Sequence, residues 1–179
     1  MKLVILDRDG VINHDSDDYI KSPDEWISIP GSIEAIAKLN HAGFLVCVAT
    51  NQSGIARGYF DILTLNKIHE KMLHETALAG GNIDGIFFCP HSPDDKCNCR
   101  KPLPGLLLQI SKRFSISLEN SFFIGDSKKD IQAAEMAGAK PILVRTGKGL
   151  ETEKQLPDFS DLEVPVFDNL SDAVAGLLI

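Results

Sequence analysis

Short apolar runs alternate with amphipathic stretches of helical period along most of the chain. The apolar runs predict strands and the amphipathic stretches predict helices. Such an alternation is typical of β-α-β units, which build a parallel sheet. The predicted strands are 2–6, 44–49, 84–88, 120–124 and 140–144, with a last one near 164–167. The predicted helices are 31–42, 61–79, 103–114, 128–137 and 170–178.

Local signals support these boundaries. Gly43 follows the first predicted helix as a C-cap, and Asp61 precedes the second as an N-cap. Segment 146–163 is rich in Gly, Glu, Lys and Asp, so we expect a loop there with at most a short helical turn. The whole pattern predicts an α/β protein with a doubly wound, mainly parallel, Rossmann-like sheet in a single domain, 1–179.

Composition and charge narrow the range of partners. The chain has 179 residues and a net charge of −7, which argues against a nucleic-acid surface. No apolar stretch approaches the ~20 residues that span a bilayer, so no membrane partner is expected. The amino terminus runs directly into the first strand without a cleavage site, which favours a cytoplasmic location. No apolar helix face stands out as exposed, so a monomer is expected.

The most informative segment is Asp7-Arg-Asp9-Gly10, at the exit of the first strand. Side chains two apart on an extended chain point the same way, and Gly10 then allows a sharp turn. One carboxylate can serve as nucleophile and metal ligand while the other moves a proton. The alternative is structural, because Asp often ends a strand and begins a turn.

Three more polar segments follow predicted strands, where open α/β sheets bind their ligands. Thr50-Asn-Gln-Ser-Gly54 offers a hydroxyl and successive N–H groups to a phosphate, although it could be an ordinary polar turn. Arg100 and Lys101 suit an anionic substrate, although such pairs are usually solvated. Asp126 could complete a Mg²⁺ site with Asp7. The alternative is structural, because either Asp126 or Ser127 could cap the next helix.

The order and placement of these four segments resemble those of the haloacid dehalogenase-like superfamily of phosphohydrolases. The resemblance covers the chain from Met1 to about Gly149. The resemblance implies that Asp7 is the nucleophile, Asp9 the acid/base, and Thr50 and Lys101 the contacts to the phosphoryl group. It further implies Mg²⁺ held by Asp7, Asp126 and the backbone carbonyl of Asp9. The implied reaction passes through an aspartyl-phosphate on Asp7, which water then hydrolyses.

A cluster of metal-binding residue types lies between the third predicted strand and Arg100. Cys89, His91, Cys97 and Cys99 supply three thiolates and one imidazole, a complete tetrahedral set for a structural Zn²⁺. The alternatives are a disulfide or unpaired thiols, but a cytoplasmic protein seldom keeps disulfides. Cys47 lies within a predicted strand and is expected to be buried. The zinc loop would hold the neighbouring cations against the site.

Within the superfamily, the zinc loop resembles two groups, the D-glycero-D-manno-heptose 1,7-bisphosphate 7-phosphatases and the histidinol-phosphate phosphatases. The heptose group matches more of the chain, including 51–58, Cys99-Arg-Lys-Pro102 and Val144-Arg-Thr-Gly-Lys148. The short interval between His91 and Cys97 is closer to the histidinol group. The resemblance implies a sugar phosphate substrate in nucleotide-activated (ADP- or GDP-) heptose synthesis for lipopolysaccharide core or a surface glycan. The alternative is histidinol-phosphate hydrolysis in histidine synthesis.

The intervals between the motifs leave no room for a separate cap domain, so an open site is expected. A bisphosphate would need a second anion site, for which Arg100 is the leading candidate, followed by Arg57 and Lys148. Histidinol phosphate would instead need a carboxylate from Asp15, Asp17 or Asp18, which could equally be solvated. A binding module without turnover is disfavoured by the joint presence of the five motif residues. A phosphoacceptor is disfavoured by Asp9, which is placed to activate water and so favours turnover. The expected substrate contacts are Asn51, Gln52, Ser53, Arg57 and Arg100.

Overall fold

A computed structural model of the protein describes residues 2–179. Six parallel strands form its sheet, in the order β3-β2-β1-β4-β5-β6. They are β1 (Lys2–Leu6), β2 (Phe44–Asn51), β3 (Gly85–Cys89), β4 (Phe122–Gly125), β5 (Lys140–Val144) and β6 (Val166–Phe167). The predicted Rossmann-like sheet is confirmed, with β1 at its centre.

Six α-helices connect and flank the strands. They are α1 (Ser32–His41), α2 (Ile62–Leu78), α3 (Gly105–Phe114), α4 (Lys128–Ala137), α5 (Gly149–Phe159) and α6 (Leu170–Leu177). A single 3₁₀ turn, Pro23–Glu25, lies between β1 and α1. None of the helices found in residues 2–179 is both long and apolar enough to cross a membrane.

The two faces of the sheet bury separate apolar clusters, which makes the fold doubly wound. Val4 and Leu6 of β1 pack in one cluster with residues of α1, α2 and α6. Leu3 and Ile5 pack in the other with residues of α3 and α4. Alternate side chains of a strand point to opposite faces of the sheet. Because every residue from Leu3 to Leu6 is apolar, β1 contributes side chains to both clusters.

Several predicted helix ends are confirmed by their hydrogen bonds. The side chain of Asp61 accepts from the N–H of Thr64 at 2.8 Å and so caps α2. Ser127 and Asp130 form a capping box at the start of α4, which confirms the structural role weighed for Ser127. Gly43 follows α1 with φ of +83°, a conformation that favours glycine.

Two boundary predictions were wrong. Segment 146–163 contains α5, an eleven-residue helix, rather than a loop with at most a short turn. Its buried positions are Gly149 and Thr152, so it lacks the apolar periodicity by which a helix is recognised. Strand β2 runs through Thr50 and Asn51 rather than ending at 49, because both residues pair with β3.

The strand order places the predicted motifs together. The chain leaves β1 towards β2 on one side and returns to β4 on the other, so a crevice forms beyond the carboxyl end of β1. Residues 7–31 add only the 3₁₀ turn and two isolated bridges, and residues 90–104 contain no helix or strand. No second sheet is present in residues 2–179, as expected for a fold without a cap domain.

Candidate active site

The predicted site residues meet in one cleft of about 630 Å³ beyond the carboxyl ends of β1, β2 and β4. The predicted residues that line it are Asp7, Asp9, Thr50, Asn51, Gln52, Ser53, Arg57, Arg100, Lys101 and Asp126. These residues come from four separate segments of the chain. The cleft is open to solvent, as the sequence predicts for a fold without a cap domain.

Asp7 lies at the bottom of this cleft. Its backbone N–H donates to the carbonyl of Ile124 at 3.0 Å, which extends the β1–β4 ladder by one residue. Its Oδ1 accepts the N–H of Arg8 at 2.7 Å and lies 2.9 Å from Nζ of Lys101. These contacts leave Oδ2 without a hydrogen-bond partner in residues 2–179.

Lys101 is buried, and its ammonium group joins two carboxylates. Nζ lies 2.9 Å from Oδ1 of Asp7 and 2.6 Å from Oδ1 of Asp130, and it donates to the carbonyl of Ala49 at 2.9 Å. Burial alone would lower the pKa of Lys101, but Asp130 and Asp7 outweigh that effect and raise it. The lysine is therefore a fixed positive charge beside Asp7.

Asn51 holds the backbone of this lysine. Its side-chain amide donates to the carbonyl of Lys101 and accepts from the N–H of Lys101, each at 3.0 Å. The sequence predicted a contact between Asn51 and substrate, but both of its polar groups are engaged by the chain itself. We therefore expect Asn51 to act mainly by positioning Lys101.

Asp130 is a site residue that the sequence analysis missed. Its Oδ1 binds Lys101, and its Oδ2 accepts from the N–H of Asp126 and from the N–H and hydroxyl of Ser127. Asp130 is fully buried at the third position of α4. Its position, four residues after Asp126 and inside the predicted helix 128–137, was the available signal.

The acids of the cleft are suited to a divalent cation. Asp7, Asp126 and Asp130 can bring one carboxylate oxygen each to within 4.8 Å of the others. Burial, and then repulsion from Asp130, raise the pKa of Asp7 to about 7; the same two effects raise that of Asp126 well above its ordinary value. Asp130 is engaged by Lys101 and by the start of α4, so Asp7 and Asp126 are the acids that fit a hard cation such as Mg²⁺.

Asp9 lies in a different electrostatic environment. It accepts hydrogen bonds from Arg8, from Nδ2 of Asn13 at 2.8 Å and from Nε2 of Gln52 at 3.0 Å. Burial raises the pKa of Asp9, but the charge of Arg8 and these hydrogen bonds outweigh burial and lower it. Nε2 of Gln52 also donates to the hydroxyl of Thr50 at 3.0 Å, so Gln52 links Asp9 to Thr50.

Cations surround the outer part of the cleft. Lys129 was not predicted, and its pKa is lowered by burial and then by the nearby charges of Arg100 and Lys148. Several cations held close enough to repel one another are typical of an anion site. The cations that line the cleft beyond the buried acids are Arg57, Arg100, Lys128, Lys129 and Lys148.

The predicted metal cluster is assembled beside the site. Sγ of Cys89 lies 3.2 Å from Sγ of Cys99 and 3.8 Å from that of Cys97, and Nδ1 of His91 lies 3.4 and 3.3 Å from Cys89 and Cys99. Two thiolates on one tetrahedral Zn²⁺ would be about 3.8 Å apart. The four donors therefore fit one such ion. Cys47 is buried elsewhere, in β2, as expected.

Comparisons with known proteins agree with this geometry. Residues 98–173 match the HAD-hydrolase-like family, Hydrolase_like. The chain is 53% identical to the D-glycero-β-D-manno-heptose-1,7-bisphosphate 7-phosphatase of Pseudomonas putida, over 100% of both chains. It is 57% identical to the enzyme of the same name from Bordetella bronchiseptica, over 87% of both.

Solved structures give the same result. The D,D-heptose 1,7-bisphosphate phosphatase of B. bronchiseptica, complexed with magnesium and phosphate, has a TM-score of 0.94 and 52% identity, over 99% of this chain and 98% of that one. The corresponding phosphatase from Burkholderia thailandensis has a TM-score of 0.77 and 44% identity, over 99% of both chains. The chain therefore belongs to the D-glycero-β-D-manno-heptose-1,7-bisphosphate 7-phosphatase family of HAD-like hydrolases.

Proposed function

We propose that this protein is a Mg²⁺-dependent phosphatase that removes the 7-phosphate of D-glycero-β-D-manno-heptose 1,7-bisphosphate. The observation that carries the proposal is 53% identity, over the full length of both chains, to a relative of that name. The name of this relative specifies the β anomer, a preference that the sequence alone left open. The buried acids and the lysine of the cleft supply the chemistry that this reaction needs.

Asp7 is the proposed nucleophile. A carboxylate oxygen of Asp7 attacks phosphorus as the bond from phosphorus to the sugar oxygen breaks, which yields an aspartyl-phosphate and releases the sugar oxygen. The protonated form of Asp9, which its lowered pKa makes the minor form at neutral pH, gives its proton to that leaving oxygen and becomes a carboxylate. Asp9 then takes a proton from water as the water attacks the aspartyl-phosphate, releasing phosphate and restoring Asp7.

The remaining buried groups stabilise the charge on the phosphoryl group. Asp7, Asp126 and the backbone carbonyl of Asp9 would hold Mg²⁺, which neutralises negative charge on the phosphoryl oxygens when it is bound. Lys101, fixed by Asp130 and Asn51, places a further positive charge beside Asp7. The hydroxyl of Thr50 supplies a hydrogen bond, because it is held by Gln52 and lines the cleft.

The outer cations are the proposed site of the second phosphate. Arg100 remains the leading candidate for contact with this phosphate. Arg57, Lys148 and the newly identified Lys129 also line the cleft and are further candidates. A guanidinium can bind a phosphate through two parallel hydrogen bonds. Such a contact to the 1-phosphate would hold the sugar in place while the 7-phosphate reacts at Asp7. Ser53 and Gln52 also line the cleft and would contact the substrate.

We also propose Zn²⁺ as the ion of the cysteine cluster, with Cys89, His91, Cys97 and Cys99 as its ligands. The ion would be structural, because four protein ligands leave no open position. Arg100 and Lys101 follow Cys99 directly, and Nη1 of Arg100 lies 3.4 Å from the carbonyl of His91. Zinc would therefore set the position of both cations relative to the nucleophile.

The wider biological role is proposed from the same relationship. The enzyme would act as a single domain and as a monomer in the cytoplasm, in the synthesis of nucleotide-activated heptose. Light scattering during size-exclusion chromatography tests the monomer, since a mass near 19.6 kDa is expected and twice that mass would overturn it.

Phosphate release with Mg²⁺ present tests the function. The substrates are the β and α anomers of the heptose 1,7-bisphosphate and histidinol phosphate, at matched concentrations. We expect the highest kcat/KM for the β anomer and a phosphate still at C1 of the product. Asp7→Asn should abolish turnover. A preference for histidinol phosphate would overturn the proposed substrate, and full activity of Asp7→Asn would overturn the nucleophile.

Arg100→Met tests the site for the second phosphate. The variant should lose affinity for the bisphosphate while retaining its kcat/KM for a monophosphate such as p-nitrophenyl phosphate. Lys96→Met is a matched control, because Lys96 is an exposed cation of the same loop and does not line the cleft. Equal effects of the two substitutions would overturn the role of Arg100.

A further inference from the structure

Arg8 is a charged residue with no contact to solvent. It lies between Asp7 and Asp9 in the sequence, and its side chain is 0% exposed. Burial of a guanidinium is strongly unfavourable unless its N–H groups are paired. The partners of Arg8 therefore indicate why a cation is kept inside the protein at this position.

One side of the guanidinium binds Asp9. Nε of Arg8 donates to Oδ1 of Asp9 at 3.1 Å, and Nη2 lies 2.9 Å from Oδ1 and 3.2 Å from Oδ2. Asn13 completes the contacts of Oδ1, and Gln52 contacts Oδ2. The carboxylate is thus held in one orientation, with Oδ2 the less occupied of its two oxygens.

The other side of the guanidinium contacts a histidine from a distant part of the chain. Nη1 of Arg8 lies 3.2 Å from Nε2 of His69, which is buried in α2. Burial, and then the charge of Arg8, lower the pKa of His69 to about 3. The ring is therefore neutral at physiological pH, and its Nε2 accepts from Arg8. The imidazole also packs near Phe88 of β3 at 6.3 Å between ring centroids.

We propose that His69, acting through Arg8, is a positioning residue that orients the carboxyl group of Asp9 for proton transfer to the leaving oxygen. The proposal deepens the proposed function and rests on it. Nη1 has no other hydrogen-bond partner in residues 2–179, so His69 fixes the end of the guanidinium that Asp9 does not reach. Without this acceptor the guanidinium can rotate, and Asp9 moves with it.

Substrates with different leaving groups separate this role from a merely structural one. An alkyl phosphate needs a proton on its leaving oxygen, whereas p-nitrophenolate leaves readily without one. The value of kcat/KM covers only the steps up to release of the leaving group. It therefore reports the acid step without the later hydrolysis of the aspartyl-phosphate.

The experiment compares three variants with the wild type on the heptose bisphosphate and on p-nitrophenyl phosphate. His69→Leu should lower kcat/KM for the bisphosphate by about tenfold or more, because general acid catalysis typically contributes ~10²–10⁴. The same variant should change kcat/KM for p-nitrophenyl phosphate by less than about threefold. His69→Gln should restore most of the activity, since its amide oxygen can accept from Arg8.

Met72→Ala is the control for stability. Met72 lies on the same helix and packs in the apolar core, so its truncation should lower the melting temperature without a leaving-group effect. Equal losses on both substrates for His69→Leu, or no rescue by Gln, would overturn the role of His69 alone. Failure of the wild type to hydrolyse any alkyl phosphate would overturn the proposed function and this inference together.

Discussion

Gly147 lies directly against the carboxylate of Asp126. A Cβ atom built on Gly147 would overlap Oδ2 of Asp126 and would also contact Cα of Gly10. The N–H of the next residue, Lys148, donates to the same Oδ2 at 2.8 Å. Gly147 has φ of +58°, so both its conformation and the close approach require glycine. The turn after β5 thereby orients one of the proposed Mg²⁺ ligands.

Gly147→Ala should weaken Mg²⁺ binding, because the added methyl group displaces the carboxylate of Asp126. We expect the Mg²⁺ concentration for half-maximal phosphate release to rise by about tenfold or more. Gly43→Ala is the matched control, since Gly43 also has positive φ but meets no atom within 4 Å of a built Cβ. An unchanged Mg²⁺ dependence in Gly147→Ala would contradict the prediction.

Asp130→Asn should damage both stability and activity. It removes a negative charge bonded to buried Lys101, which should cost about 3 kcal/mol in the free energy of unfolding. Displacement of the lysine should also lower kcat by about a hundredfold. The control is Asp172→Asn, at the equivalent third position of α6 but exposed. Urea unfolding and phosphate release test this, and parallel behaviour of the two variants would refute it.

His69 should make the stability depend on pH. Its pKa is about 3 in the folded protein, against about 6.5 in the unfolded chain, so only the unfolded state binds this proton at pH 5. The contribution of His69 to the free energy of unfolding is therefore fully present well above pH 6.5. It is lost as the pH falls through 6.5 towards 3. Between pH 8 and pH 5 the free energy of unfolding should fall by about 2 kcal/mol more in the wild type than in His69→Gln.

Urea unfolding of both proteins at several pH values measures this difference. All other titrating groups are shared by the two proteins, so the difference isolates His69. Curves of stability against pH that run parallel would show that His69 is not held neutral in the folded state.

Cys97→Ser should lose zinc and lower the melting temperature. Removal of one of four ligands opens the proposed site, and metal binding of this kind contributes directly to folding. Cys47→Ala is the control, because Cys47 is buried in β2 outside the cluster. Metal analysis should find about one Zn²⁺ per chain in the control. Full zinc content and an unchanged melting temperature in Cys97→Ser would refute the structural site.

Much of the architecture follows from local patterns. The strands were predicted from apolar runs that lack polar positions, as strands buried on both faces require. Asp61 was identifiable as a cap, and the four cysteine-cluster residues as candidate metal ligands, because the residue types and short spacings suffice. The segment 7–10 was recognisable for the same reason. In each case the interacting groups lie within about ten residues of one another.

Other features depend on contacts across the fold. Helix α5 buries little apolar surface and is held through Thr152, whose hydroxyl donates to the carbonyl of Asp126 at 2.9 Å. The contact of Arg8 with His69 joins residues 61 positions apart, and that of Lys101 with Asp130 joins residues 29 apart.

The sequence by itself determined which residue types stand at the ends of the strands and therefore what chemistry is available. The tertiary structure alone decided which of those groups are buried together. The reason is that the pKa of Asp7 and the orientation of Asp9 depend on neighbours supplied by other segments, such as Asp130 and Gln52. Interaction energies between such groups are set by distance and burial, which a one-dimensional pattern does not contain.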